Sequence, residues 1–297
     1  MQDTPRGTFG RLTTGLCCLA LSIGLITGFA ASPGHARSGV SKLYAVYKVN
    51  FAGMKLGKFR AWAEFSGNDY SIRSKTNLEM GFILKGLFFQ LDGGAQSKGS
   101  VHTENVRPEN YSLYFKTKKA RGHLNMEFEG DTVSKVKYNP PVYDNPKAIK
   151  VTKRHVTNVV DPLSAVFIPA ASKNGGIDKS ICQQKAAIFD GRHRYNLTLS
   201  YKRTVRVRGK KARGYSGPAL ICRVKYTPIA GHRPDNQGLR FMEQTRDIEA
   251  WFVPVPGTKF YIPYHVSMPT PYGQASATST VFDVETTARK KIAVINN

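Results

Sequence analysis

Tyr195-Asn196-Leu197-Thr198-Leu199-Ser200-Tyr201 alternates large apolar side chains with small polar ones along its whole length. A period of two marks a strand with one buried and one wetted face, because successive side chains of an extended chain point to opposite sides. Asp190-Gly191 stands just ahead of it, a pair suited to a type I′ hairpin turn, in which both central residues take positive φ. Downstream, Leu220, Cys222, Val224 and Tyr226 alternate with Ile221, Arg223 and Lys225, which turns Cys222 inward. The rhythm continues through residues 247–253, 260–266 and 276–284. Pro263 has no N–H to give a ladder, so its strand is an edge or bulges there.

The first half of the chain repeats the pattern. Leu43, Ala45, Tyr47, Val49 and Phe51 share one face, and Phe59, Ala61, Ala63 and Phe65 form the next, with Arg60, Trp62 and Glu64 opposite. Residues 52–57 make the turn between them. Further strands are read at 70–78, 111–115, 124–128 and 133–138, the last two joined at Gly130-Asp131. One stretch departs from alternation. In Asp161-Pro162-Leu163-Ser164-Ala165-Val166-Phe167-Ile168, Asp at an N-cap and Pro at the first helical position predict a short helix, stopped by Pro169 or Gly175. It lies between two sheet-forming halves, after a Pro-rich stretch at 140–146. The expected fold is all-β, an antiparallel open barrel or spiral sheet with one short helix, built as a single β-rich domain over residues 37–297.

Residues 1–36 read as a secretory leader. Arg6 and Arg11 precede an uncharged apolar run over 16–31, and Pro33-Gly34-His35-Ala36 offers small residues for cleavage after Ala36. The run is short for a membrane span and diluted by Ser22, Gly24, Thr27 and Gly28. The expected address is the periplasm. Cys17 and Cys18 leave with the leader, so Cys182 and Cys222 remain, an even pair that an oxidising compartment joins as a structural disulfide.

The whole chain carries +24, and losing Arg6, Arg11 and Asp3 lowers that only to +23. In an exported protein that excess points away from nucleic acid and toward envelope lipid, lipopolysaccharide or acidic glycan, with peripheral contact to a membrane. The densest cationic stretch carries Arg206, Arg208, Lys210, Lys211 and Arg213, where a strand face runs into a loop. It is the candidate anion site. Gly81-Phe82-Ile83-Leu84-Lys85-Gly86-Leu87-Phe88-Phe89 is the most apolar run of the mature chain. Phe82, Ile83, Leu84, Phe88 and Phe89 are candidates for an apolar lid over a lipid cavity, or for ordinary core.

Catalytic signatures are missing. The histidines never fall at metal-ligand spacing, and no nucleophile elbow, phosphate loop or dinucleotide fingerprint occurs, so no catalytic residue, metal or cofactor is assigned. Asp190, His193 and Ser200 lie near one another only through a turn, His232 follows a turn at Gly231, and Glu127 with Glu129 share a strand face. A non-enzymatic, monomeric envelope protein binding an anionic or amphipathic component is the leading expectation. A lipid or lipoprotein carrier with an apolar cavity is the alternative, ahead of a wall-acting hydrolase.

An ordered set of strings resembles a known family. Asp161-Pro162-Leu163-Ser164-Ala165, Cys182, and Phe189-Asp190-Gly191-Arg192-His193-Arg194-Tyr195 come first. Cys222, Pro228-Ile229-Ala230-Gly231-His232, and Ile248-Glu249-Ala250-Trp251-Phe252-Val253-Pro254 follow. In this order they are similar to the bacterial envelope family catalogued as domain of unknown function 3108. The resemblance implies a secreted, β-rich protein of the Gram-negative envelope and brings no catalytic residues with it.

Overall fold

The structure is a computed structural model that describes residues 41–292, apart from 84–86, 103–104, 143–144, 171–176, 210–212 and 287–288; side chains are described except at 80–89 and 289–292. The leader reading at 1–36 therefore lies outside the described residues. Two antiparallel meanders make one sheet. The first runs through β1 (Ser41–Phe51), β2 (Met54–Ser66), β3 (Asp69–Ile83), β4 (Leu87–His102), β5 (Asn105–Thr117), β6 (Arg121–Glu129) and β7 (Thr132–Asn139). After the two-residue β8 (Ile168–Pro169), the second comprises β9 (Lys185–Phe189), β10 (Arg194–Val207), β11 (Gly217–Ala230), β12 (Glu249–Pro254), β13 (Phe260–Thr270) and β14 (Gly273–Thr286). β1 pairs with β14 along its full length and joins the halves. β15 (Arg289–Ile292) adds to β14, and β8 to β13.

The sheet is unclosed, with β7 and β9 as its two edges. The intervening chain stitches them. Val133 N–H donates to the Val156 carbonyl (2.9 Å) and Val159 N–H to Asp131 (3.3 Å). On the other side, Val160 N–H donates to Ala187 (2.9 Å), and Phe189 N–H returns a bond to Val160 (3.0 Å). A non-strand segment thus satisfies edge groups that would otherwise be free to pair with another chain.

Every strand read from alternation is present, with most of its apolar face inward, although Phe115 and Tyr201, at the ends of their alternating runs, are exposed. Leu43, Ala63, Phe65, Ile72, Leu124, Met126 and Phe128 are all buried. Pro263 resolves as a bulge rather than an edge, since β13 is an interior strand whose register with β12 shifts between Trp251 and Phe252, opposite Pro263. Asp190-Gly191 is not a type I′ pair, because of the two only Gly191 takes positive φ (96°). The Asp190 carboxylate instead closes the loop by accepting from the N–H groups of Arg192 (2.8 Å) and His193 (2.6 Å).

The expected helix is the main correction. Asp161 does cap as an N-cap would, its Oδ1 accepting from the Leu163 and Ser164 N–H groups at 2.9 Å each. Only a single 3-10 turn follows, Ser164–Val166. The helix stops because the next residues pair with a strand, Ile168 opposite Tyr261 and Pro169 opposite Phe260. Extended pairing and the wedging of Phe167 among aromatic rings outcompete two more helical turns. The one α-helix of the described residues, α1 (Gln237–Gln244), lies elsewhere, capped by the Asn236 side chain on Leu239 N–H (3.1 Å).

Candidate functional site

The 161–169 segment is a plug pressed against the concave face of the sheet. Phe167 meets Tyr70, Phe65 and Phe260 with ring centroids 4.8, 5.7 and 5.4 Å apart. Its polar end is held just as firmly. Asp161 Oδ2 accepts from Ser97 Oγ (2.9 Å) and Ser164 Oγ (2.5 Å), and Ser164 Oγ also lies 2.7 Å from both Tyr70 Oη and Ser97 Oγ. Asp161 and Ser164 are fully buried, and no cation partners the carboxylate among the described residues. Burial pushes the Asp161 carboxyl above the ordinary range against the pull of these donors, and burial followed by nearby Asp161 pushes the Tyr70 hydroxyl up.

Beside the plug lies a cavity of about 710 Å³. Its floor is the inward face of the second meander, where Leu197, Leu199, Val224 and Phe252 come together from β10, β11 and β12. Phe167 closes one wall and Met242 of α1 another, with Met268 at the far side. Polar groups gather at the margin: Asn105, Gln184, Lys185, and an Arg107–Asp131 ion pair (3.4 Å) about half exposed to solvent. A smaller, almost wholly apolar void of about 160 Å³ sits across Phe167 and Val266, bounded by Leu43, Phe59 and Ile262. A mostly apolar space that also meets Arg107, Asp131 and Lys185 suits a molecule that is itself greasy at one end and ionic at the other.

The disulfide forms as expected, Cys182 to Cys222 with Cα atoms 5.4 Å apart and both residues fully buried. It joins a 3-10 turn, Lys179–Gln183, to β11 rather than strand to strand, and so fastens cover to sheet. Cys222 faces the same core as Leu220, Val224, Ala250 and Phe252.

Of the anion candidates, Arg206, Arg208 and Arg213 are described. Arg206 and Arg208 are exposed, whereas Lys210 and Lys211 lie outside the described residues. Arg213 reaches across to Asp283 on β14 and forms an ion pair, which raises its own pKa and occupies its fork. Of the lid candidates, Phe82 and Ile83 fall on β3 and Phe88 and Phe89 on β4; their side chains, and Leu84 altogether, lie outside the described residues.

The remaining candidates resolve into local contacts. His193 Nδ1 sits 3.1 Å from Asp190 Oδ2 while Ser200 is exposed further along β10. His232 lends its carbonyl to Ile149 N–H (2.9 Å). Glu127 pairs with Lys135 (3.2 Å). No group of three or more His, Cys, Asp or Glu able to hold a metal occurs among the described residues.

Sequence reasoning missed the cavity floor as a site, because Leu197, Leu199 and Val224 look like any half-buried strand positions. The two methionines were the available signal, since flexible thioethers adapt to ligands of irregular shape.

The family described as Protein of unknown function (DUF3108) matches residues 46–280. No curated protein matches the chain. Among solved structures, the chain is similar to a beta-barrel-like protein of domain of unknown function DUF1849 from Brucella abortus, at 10% identity over 84% of this chain and 98% of that one, with a TM-score of 0.46.

Proposed function

The chain belongs to the family described as Protein of unknown function (DUF3108), a membership that carries no activity with it, and from the chain's own geometry we propose that it is an exported, non-enzymatic binder of an anionic amphiphile. The apolar part of the ligand occupies the cavity between the second meander and the plug. Its charged head sits at the rim beside Arg107 and Lys185. The observation that carries this reading is the cavity itself: about 710 Å³ of mostly apolar space, within the range of sites that enclose a small molecule. The chain's charge of +24 supports an anionic head.

Native mass spectrometry of protein freshly isolated from its own cells tests the reading. Wild type should carry an extractable lipid-sized adduct, and Leu199→Trp, which fills the floor, should lose it while keeping its thermal transition. A bare mass for wild type, both as isolated and after incubation with single-tailed anionic detergent, refutes the proposal.

A further inference from the structure

Two rows on the outward face of the first meander contribute no residue to the cavity lining. Register aligns side chains across the strands in straight rows. One row runs Lys48, Lys58, Asn77, Asp92, Lys116 and Arg121 from β1 to β6. The next runs Arg60, Lys75, Gly94, Tyr114 and His123. Six Lys or Arg thus stand with a single carboxylate, Asp92, on neighbouring strands about 5 Å apart. Asn77 accepts from Arg60 (3.1 Å) and donates to Asp92 (2.7 Å), which ties up that carboxylate. None of the six cations has an ion-pair partner among the described residues, whereas Lys42, Arg107, Lys135, Lys202, Arg213 and Arg233 all do. Like charges held in register destabilise a sheet, so an uncompensated row is a feature that an external anion would relieve.

Tyr114 sits at the centre of this field. One edge of its ring packs against Gly94, where a Cβ would be 2.5 Å from the Ser74 carbonyl oxygen, 2.7 Å from Tyr114 Cε1 and 3.0 Å from the Tyr114 hydroxyl. His123 flanks it at 6.2 Å, nearly parallel (29°), and the residue is 43% exposed. A partly open aromatic ring packed beside a glycine and surrounded by cations is a platform for a sugar ring bearing nearby acidic groups. A lipid bilayer would call instead for protruding apolar side chains, which these two rows lack. We propose that this face binds an anionic polysaccharide, with Tyr114 under a sugar ring and Lys75 and Lys116 on acid groups to either side.

The test uses the mature protein with alginate as the probe, neutral dextran as the uncharged control and anionic phospholipid vesicles as the membrane arm. Wild type should bind alginate in a salt-sensitive way and bind neither dextran nor vesicles through this face. Lys75→Glu/Lys116→Glu should weaken alginate binding by about tenfold or more, Tyr114→Leu should weaken it severalfold, and both should melt as wild type does. Leu199→Trp should leave it unchanged, which separates this face from the cavity. Equal affinity in the charge-reversed variant, insensitivity to Tyr114→Leu, or charge-dependent binding to vesicles in place of alginate overturns the proposal.

Discussion

Replacing Asp161 by Ala should unlatch the plug, and the expected size of the effect follows from the bonds it makes. Its Oδ1 accepts from two buried backbone N–H groups and its Oδ2 from two buried hydroxyls. Ala strands both amides at about 1–3 kcal/mol each, while Ser97, Ser164 and Tyr70 can still bond to one another. Removing a buried carboxyl also relieves its desolvation, which offsets part of the loss. The net expectation is a destabilisation of about 2–4 kcal/mol for Asp161→Ala. Asp161→Asn keeps Oδ1 for the two amides and offers an N–H to the hydroxyl oxygens, so it should cost about 1 kcal/mol or less. Urea unfolding followed by tryptophan fluorescence and circular dichroism measures both variants. Their pH profiles add a second reading. Burial raises the folded-state pKa of Asp161, so its contribution is most favourable below the ordinary aspartate range and is lost as pH rises through the raised value. The gap between wild type and Asp161→Asn should therefore move in favour of Asn as pH rises. Equal stability of all three proteins, or Asn as damaging as Ala, refutes the latch.

Asp190 should behave with the opposite sign. Burial alone would raise its pKa, but His193, by side chain and backbone, and then Arg192 N–H hold it below the usual range, so its contribution is present above that range and lost as pH falls through the depressed value. Asp190→Asn should flatten the acid limb of an unfolding-versus-pH curve, and an unchanged acid limb counts against the assignment. Reducing Cys182–Cys222, which encloses a 40-residue separation, should lower stability by up to about 4 kcal/mol, read as a shift of the urea midpoint with and without reductant. Gly99→Ala places a Cβ 2.1 Å from the Arg107 carbonyl oxygen and 2.8 Å from Tyr70 Oη. It should cost roughly 1–3 kcal/mol or prevent folding, and a neutral result in the same assay would show that β4 and β5 can part there.

The fold was legible wherever one face of a strand is apolar and the other polar. Residues 43–51, 59–65 and 195–201 are such cases, and their register follows from the pattern. β4 escaped detection for a physical reason. Its central inward positions are Gly93, Ala95, Ser97 and Gly99, small residues that interrupt the apolar alternation between Leu91 and Val101. They are small because the plug needs the space: Ser97 bonds Asp161, and Gly99 leaves room for the Tyr70 hydroxyl. α1 escaped because its apolar positions, Leu239, Phe241 and Met242, are only half-buried and follow a turn-rich stretch. The disulfide was legible from cysteine parity. The cavity was not, because it is a gap between the plug and the sheet, and periodicity along one strand carries no information about what packs across from it.

Small residues on β4 and a capped turn at Asp161 are two sides of one device. A sheet of this length that closed on itself around large side chains would fill its own interior. Here the inward face is thinned along β4, a segment from the crossover is laid into the space, and its apolar residue Phe167 is wedged against Phe65, Tyr70 and Phe260. The plug fills the side facing the first meander and leaves the side facing the second partly empty, so the cavity lies against the meander that carries the disulfide and α1. The same crossover, a few residues earlier, stitches β7 to β9 and supplies Asn158, Val159 and Val160 to the cavity wall. Those bonds are few and come from a segment that is not itself a strand, whereas β1 and β14 pair over more than ten residues. Opening of the cavity should therefore begin at residues 156–160, and amide exchange there should outpace exchange along β1 and β14. Slower exchange at 156–160 than along that central pair would show that the stitched edge is the rigid part of the wall.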